Sequence, residues 1–167
     1  NIGIYPEIKK PKFHLENGKD ISKIVLEILT KYGYSTKDDQ CILQCFDALE
    51  LERIRNQLKS ELFLVQLMEF PEQKNLLEFY ASYADGIGPS YKHLISSKTT
   101  SGFSFTSLVE ESHNLSLVVH PYTFRKDSLE EFDSSQQMID VIIDKAGADG
   151  GFTDFPDKMK EILETKL

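Results

Sequence analysis

The chain's 167 residues include 19 Lys and Arg against 27 Asp and Glu, a formal charge of −8, with 40% apolar and 28% charged side chains. This describes a soluble globular chain of one-domain size, and the lack of any long apolar run leaves nothing to span a membrane. The missing basic surplus argues against a general nucleic-acid binder, whereas a small anionic substrate stays open if a metal ion and a few local cations supply the attraction.

The chain does not start with Met and shows no charged-then-apolar leader, so no targeting signal is readable. Opening at Asn1, almost inside a strand, points to an absent upstream part. The first apolar run, Ile2 to Ile8, reads as a strand with Glu7 and Lys9 near its end, and a two-residue period puts both on one face. If that face looks into the mouth of an α/β barrel, a hard-oxygen metal ligand sits beside a cation able to hold a phosphate. A solvated, ion-paired strand end is the commoner account of such a segment, and this stretch alone does not decide.

Asp20 is a good N-cap for a helix that places Ile21, Ile24, Val25, Ile28 and Leu29 on one stripe, and Gly33 suits its left-handed end. Cys41 to Phe46 is the second strand. Its two cysteines lie roughly 13 Å apart at about 3.3 Å per residue, too far for a disulfide, and read as small core residues. Asp47 then caps a helix with Leu51, Ile54 and Leu58 inward. Leu62 to Met68 is the third strand, followed by a helix from Pro71 and Glu72 that uses Leu76, Leu77 and Tyr80. The short fourth strand is Asp85 to Pro89. Lys98 to Gly102 reads as a loop, and Phe105, Leu108 and Val109 as part of a helix. Leu115 to His120 is the fifth strand, suited to burial on both faces. A polar loop from Arg125 to Ser135 leads to a helix with Met138, Ile139, Ile142 and Ile143 inside. Gly150 to Asp154 is the last strand, and Pro156 opens a final helix with Met159, Ile162 and Leu163 inward. Asn114-Leu115-Ser116 matches a glycosylation acceptor, a tripeptide too frequent to decide anything.

Six strand-plus-helix units without an internal repeat or linker demand a parallel sheet, open or closed. The polar residues favour a (β/α)₈ barrel, because they gather at the strand ends: Glu7 and Lys9, Gln44 and Asp47, Gln66 and Glu69, Ser90, His120 and Tyr122, Thr153 and Asp154. An open sheet would instead concentrate function at one or two loops, with a Gly-rich phosphate turn that this chain lacks.

Five segments in order, Ile4-Tyr5-Pro6-Glu7-Ile8-Lys9, Leu43-Gln44-Cys45-Phe46-Asp47, Tyr83-Ala84-Asp85-Gly86-Ile87-Gly88-Pro89, Val119-His120-Pro121-Tyr122-Thr123 and Gly151-Phe152-Thr153-Asp154-Phe155-Pro156, resemble the glycerophosphodiester phosphodiesterases. The likeness is to the bacterial periplasmic type and its eukaryotic relatives, and it covers essentially the whole chain. It implies a single domain, residues 1–167, forming the C-terminal part of a TIM barrel with about six βα units, strands 3 to 8. It further implies hydrolysis of glycerophosphodiesters to glycerol 3-phosphate and an alcohol with a divalent cation, calcium ahead of magnesium. By resemblance Glu7 matches a metal-ligand glutamate and Lys9 a phosphate-binding lysine. Phe46 lines the glycerol side of the pocket, Tyr122 stands where many relatives have tryptophan, and Gln44 and His120 belong to the same substrate-binding strand ends. His14 could reach the barrel mouth or be an ordinary loop histidine; His93 and His113 read as surface residues. Periplasmic likeness favours an exported protein.

A divalent ion and a lysine would offset the charge that builds on phosphate oxygens, and histidines would move the protons. The family's His-Arg-Gly strand end, the Glu and Asp of its second strand and its second histidine are not in this sequence, which matches from the third strand onward. The expectation is therefore an incomplete part with no catalytic histidine of its own, inactive alone, that pairs with an N-terminal part of the barrel or self-associates through open sheet edges. A non-catalytic barrel-derived binding or structural module is the alternative; the spider-venom type of phospholipase D shares the logic but matches less closely.

Overall fold

The computed structural model describes residues 3–165. In chain order the elements are β1 (Glu7–Ile8), α1 (Pro11–Glu16), α2 (Ile21–Lys31), β2 (Ile42–Cys45), α3 (Ala48–Asn56) and β3 (Phe63–Met68). A 3₁₀ turn, Pro71–Leu76, leads into α4 (Leu77–Ala81), and β4 (Gly86–Pro89) is followed by a second such turn, Tyr91–Leu94. Then come β5 (Ile95–Thr99), β6 (Gly102–Phe105), α5 (Leu108–Asn114), β7 (Val118–Val119), α6 (Ser135–Ile139), which runs on as wider π-type turns to Lys145, and α7 (Pro156–Glu164).

The caps follow from side-chain chemistry. Asp20 accepts the Lys23 amide at the start of α2, and Asp47 accepts the Glu50 amide at the start of α3, each satisfying an N–H that the helix itself leaves unpaired. Gly33 takes φ 87° just beyond α2, a conformation that disfavours a side chain.

Five parallel strands lie in the order β1-β2-β3-β4-β7, so every neighbour in space is the next parallel strand along the chain, with no switch point among the described residues. Bridges between Ser90 and Tyr122 and between Phe124 and Thr153 extend this pairing. Beyond β7 a sixth ribbon joins without becoming a regular strand: Asp149 N–H donates to the Val119 carbonyl at 3.0 Å and Phe152 N–H to that of Pro121 at 3.0 Å. The sheet curls, because Tyr5, just ahead of β1, meets this sixth ribbon. Its ring lies 4.7 Å from that of Phe152, and its hydroxyl is 3.1 Å from His120 Nδ1. First and last units thus face each other across a common interior, the geometry of a partial (β/α) barrel.

Strand alternation divides the buried residues in two. Ile8, Cys45, Ile87 and Val119 stand on the outer face and belong to one core with Leu51, Ile54, Leu77 and Tyr80 of the helices. Val65 and Leu67 are buried on the inner face, apart from that cluster. Both cysteines are free and buried.

Several elements differ from the sequence expectation. Of the Ile2 to Ile8 strand, Glu7–Ile8 forms β1 and Ile4 makes one bridge to Cys41, while Ile2 lies outside the described residues. The Lys98 to Gly102 loop is the turn region of an antiparallel hairpin in which Phe105 pairs with Ile95. Leu115 ends α5 instead of starting a strand. The Gly150 to Asp154 strand reduces to the single bridge at Thr153. The stretch holding His14 is helical, with Pro11 in the first turn of α1, where a missing N–H costs nothing. Three helix stripes are also less buried than their periodicity implies: Ile24 and Ile28 on α2, Leu76 before α4 and Leu163 on α7 are exposed.

Candidate functional site

Parallel pairing sets Glu7 beside Gln44, Gln44 beside Val65, Val65 beside Gly86 and Gly86 beside Val118, one row across the inner face. Two residues along each strand, toward its C-terminal end, the same face carries Lys9, Phe46, Leu67, Gly88 and His120. Period-two alternation in the sequence thus becomes convergence in space.

At the C-terminal ends lies a cavity of about 720 Å³ whose lining includes Glu7, Lys9, Phe46, Asp47, Glu69 and Tyr122, with Lys10, Pro11, Lys12 and Phe13 supplied by α1 and the turn before it. The Lys9 ammonium is 3.4 Å from the Glu7 carboxylate, whose side chain is 21% exposed against 75% for Lys9. Glu7 is thus held in the wall while Lys9 reaches into solvent at the mouth. Tyr122 donates to the Met68 carbonyl at 2.8 Å, and Phe46 packs edge to face against it at 5.9 Å. Burial first, then the negative charges of Glu69 and Glu7, push the Tyr122 phenol above its usual range, and both carboxylates line the cavity with it. Asp47 is already engaged in capping α3.

Gln44 and His120 sit on the inner face but do not line this cavity. Gln44 is buried, with no hydrogen-bond partner for Oε1 among the described residues. His120 shares a hydrogen bond with Tyr5, and a Cβ on Gly150 would stand 3.1 Å from its ring, so it is clamped between opposite sides of the interior. Burial lowers its pKa, against the charge of Asp149, which favours the neutral imidazole. His14 stacks edge-on with Phe13 and stands outside the cavity lining. His113 pairs with Asp149 at the surface, and His93 is half-buried, its Nδ1 without a partner among the described residues.

The cavity therefore unites Glu7, Lys9, Phe46 and Tyr122. Sequence reasoning misses Lys10, Lys12 and Phe13, for which Pro11 as a helix-opening residue is the available signal, and it gives Glu69 no role beyond a strand-end position. Among the described residues no group of three or more His, Cys, Asp or Glu side chains could hold a metal ion. A calcium ion takes roughly six to eight oxygens, so Glu7, itself paired with Lys9, does not make a cation site with these neighbours.

Comparison with known proteins agrees with this geometry. The chain is 40% identical over 192 residues to a glycerophosphodiester phosphodiesterase of Haemophilus influenzae, covering 98% of this chain and 53% of the relative. It is 30% identical over 185 residues to one of Treponema pallidum, covering 93% and 52%. The chain thus spans about half the length of the curated relatives it matches. A crystal structure from Agrobacterium tumefaciens, described as a candidate glycerophosphoryl diester phosphodiesterase, superposes with a TM-score of 0.61 at 11% identity over 89% of this chain and 53% of its own, a likeness of fold. The family model "Glycerophosphoryl diester phosphodiesterase family" matches residues 1–158, and the chain belongs to that family.

Proposed function

We propose that this chain forms part of an enzyme that hydrolyses glycerophosphodiesters to glycerol 3-phosphate and an alcohol in a reaction that depends on a divalent cation, calcium ahead of magnesium. The observation that carries this reading is the convergence of Glu7, Lys9, Phe46 and Tyr122 on one cavity at the C-terminal strand ends, where barrels of this class hold their chemistry. Lys9 places a positive charge where a phosphodiester anion would enter, and such a charge stabilises the transition state more than the ground state as negative charge accumulates on the phosphoryl oxygens. Phe46 and Tyr122 offer apolar surface to the carbon skeleton. Glu7 would be the residue of this chain that contributes an oxygen to such a cation, which would neutralise charge on the phosphate, and the other oxygens would come from elsewhere than its described neighbours.

No histidine lines the cavity to carry the proton transfers. His120 is held by Tyr5 and does not line it, and His14 stands outside it. The reading therefore includes that the 167-residue chain does not turn over substrate alone. Release of glycerol 3-phosphate from glycerophosphocholine tests both points, assayed with the chain alone and with the chain replacing the matching half of the Haemophilus influenzae relative. The expected result is chelator-sensitive turnover by the folded chimera and none by the chain. A folded chimera that binds glycerol 3-phosphate yet releases none from the diester overturns the assignment, and turnover by the isolated chain overturns its incompleteness.

A further inference from the structure

We propose that Glu69, together with the Tyr122 ring, is the subsite for a positively charged alcohol, so that the cavity prefers zwitterionic diesters bearing a quaternary-ammonium or amino alcohol over those with a neutral or anionic one. The inference rests on the glycerophosphodiester reading of the cavity and adds what that reading leaves open, the charge of the leaving alcohol.

Lys9, Lys10 and Lys12 line the wall built by β1 and α1 together with Glu7, which is paired with Lys9; Asp47 follows β2 and caps α3; and Glu69 lines the wall at the end of β3, away from the lysines. Strands β1 and β3 are two inter-strand steps apart, with β2 and its Phe46 between them, a separation of roughly 10 Å. A phosphate drawn to the lysines and a cation two carbons away fit that span once the long side chains reach toward them. Lys9 and Lys12 have carboxylate neighbours in Glu7 and Glu16. No hydrogen bond or ion pair engages the Glu69 carboxylate among the described residues, although its backbone amide donates to Gln73.

The aromatic component is fixed in place. The Tyr122 hydroxyl is anchored on the Met68 carbonyl at 2.8 Å and its ring is braced edge to face by Phe46, so it needs little ordering when a ligand arrives. A cation over an aromatic face beside a carboxylate is attracted by both the ring quadrupole and the full negative charge. An anionic alcohol at the same place meets Glu69 as a like charge.

The test is titration of the 167-residue chain, in calcium-containing buffer, with glycerophosphocholine, glycerophosphoethanolamine and glycerophosphoglycerol, followed by amide chemical shifts. The choline and ethanolamine diesters should each bind about tenfold tighter than the glycerol diester. Glu69→Gln should erase most of that difference while leaving glycerophosphoglycerol binding within about twofold. Because Glu69 is exposed, the variant should fold, and its unchanged spectrum away from the cavity checks this. Equal binding of the three diesters, or a preference that survives Glu69→Gln, overturns the subsite and leaves the proposed function standing. Binding of none of them overturns the phosphodiester reading of the cavity itself.

Discussion

Glu7 and Lys9 form an ion pair in which one partner is largely exposed, and such a pair contributes at most about 1 kcal/mol to folding. Their value lies in what they present to an anion. Lys9→Met should weaken glycerol 3-phosphate binding by about tenfold, the loss of one charge-assisted hydrogen bond, while the urea midpoint stays within the change that about 1 kcal/mol produces; a titration and a melt on the same sample check this. The pairing is legible in the sequence because a strand's period of two puts residues 7 and 9 on the same side. Lys10 and Lys12 are not, because their place at the mouth depends on the short helix that follows β1. His120 makes a different statement. Burial depresses its folded-state pKa below the unfolded value, so between those two values the unfolded chain binds the extra proton. The neutral imidazole's contribution is therefore present above the unfolded pKa, about 6.5, and lost as pH falls toward the lower folded value. The slope of stability against pH just below about 6.5 should be positive and should shrink in His120→Gln; an unchanged slope in the variant would show that the ring titrates alike in both states. His93, lowered by the same cause, contributes in the same direction and remains in that variant as an internal reference.

Between β3 and β4 a polar clasp does what apolar packing does elsewhere. Asp85, just before β4, accepts from the Leu64 amide at 2.9 Å and from Arg55 at 2.7 Å, and Lys37 also bonds it. Arg55 in turn donates to the carbonyls of Ser60, Leu62 and Tyr83. Asp85→Ala would leave a mostly buried guanidinium and a strand amide short of their acceptor, at a cost of about 2–4 kcal/mol. Lys37→Ala, which removes a half-exposed partner, should cost below about 1 kcal/mol. Urea midpoints at constant slope distinguish the two, and equal losses would mean that the clasp acts through its surface charge. The glycines of β4 are legible as a non-nucleotide segment, and the structure shows their reason: a Cβ on Gly86 would stand 2.8 Å from the Val118 carbonyl oxygen, and one on Gly88 2.6 Å from Leu67 Cδ2. The β5–β6 hairpin escapes the sequence reading because its Ser, Thr and Gly content resembles a loop. The signal is the alternation of Phe103 and Phe105, and the hairpin is held through tertiary contact, with Phe103 stacked on Phe132 at 5.3 Å. The last ribbon departs in the opposite sense. Its residues pair with the segment around β7 through scattered hydrogen bonds rather than a regular ladder.

At the scale of the whole molecule, the order of the strands can be inferred because each βα unit hands the chain to its nearest neighbour, and that rule needs no knowledge of distant contacts. What periodicity cannot show is which amphipathic faces find a cover. On α2, Leu29 is buried, whereas Ile24 is 38% and Ile28 51% exposed, and Tyr32 at the helix end is 73% exposed. Ile4, beside the β1 edge, is 38% exposed as well. β1 is the terminal strand of the sheet, with one side of its backbone not paired to another strand among the described residues. Apolar side chains beside such an edge favour association, since contact removes both from water at roughly 25 cal/mol per Å² of apolar surface. The 167-residue chain should therefore self-associate through this side, with a sedimentation coefficient that rises with concentration. Ile28→Lys sets a charge in the exposed stripe of α2 and should restore monomeric sedimentation without lowering the urea midpoint, because the residue contributes little to the chain's own core. A wild-type chain that stays monomeric at high concentration, or an Ile28→Lys variant that associates as strongly, would mean that this face is tolerated by water and that the edge of β1 does not recruit a second copy.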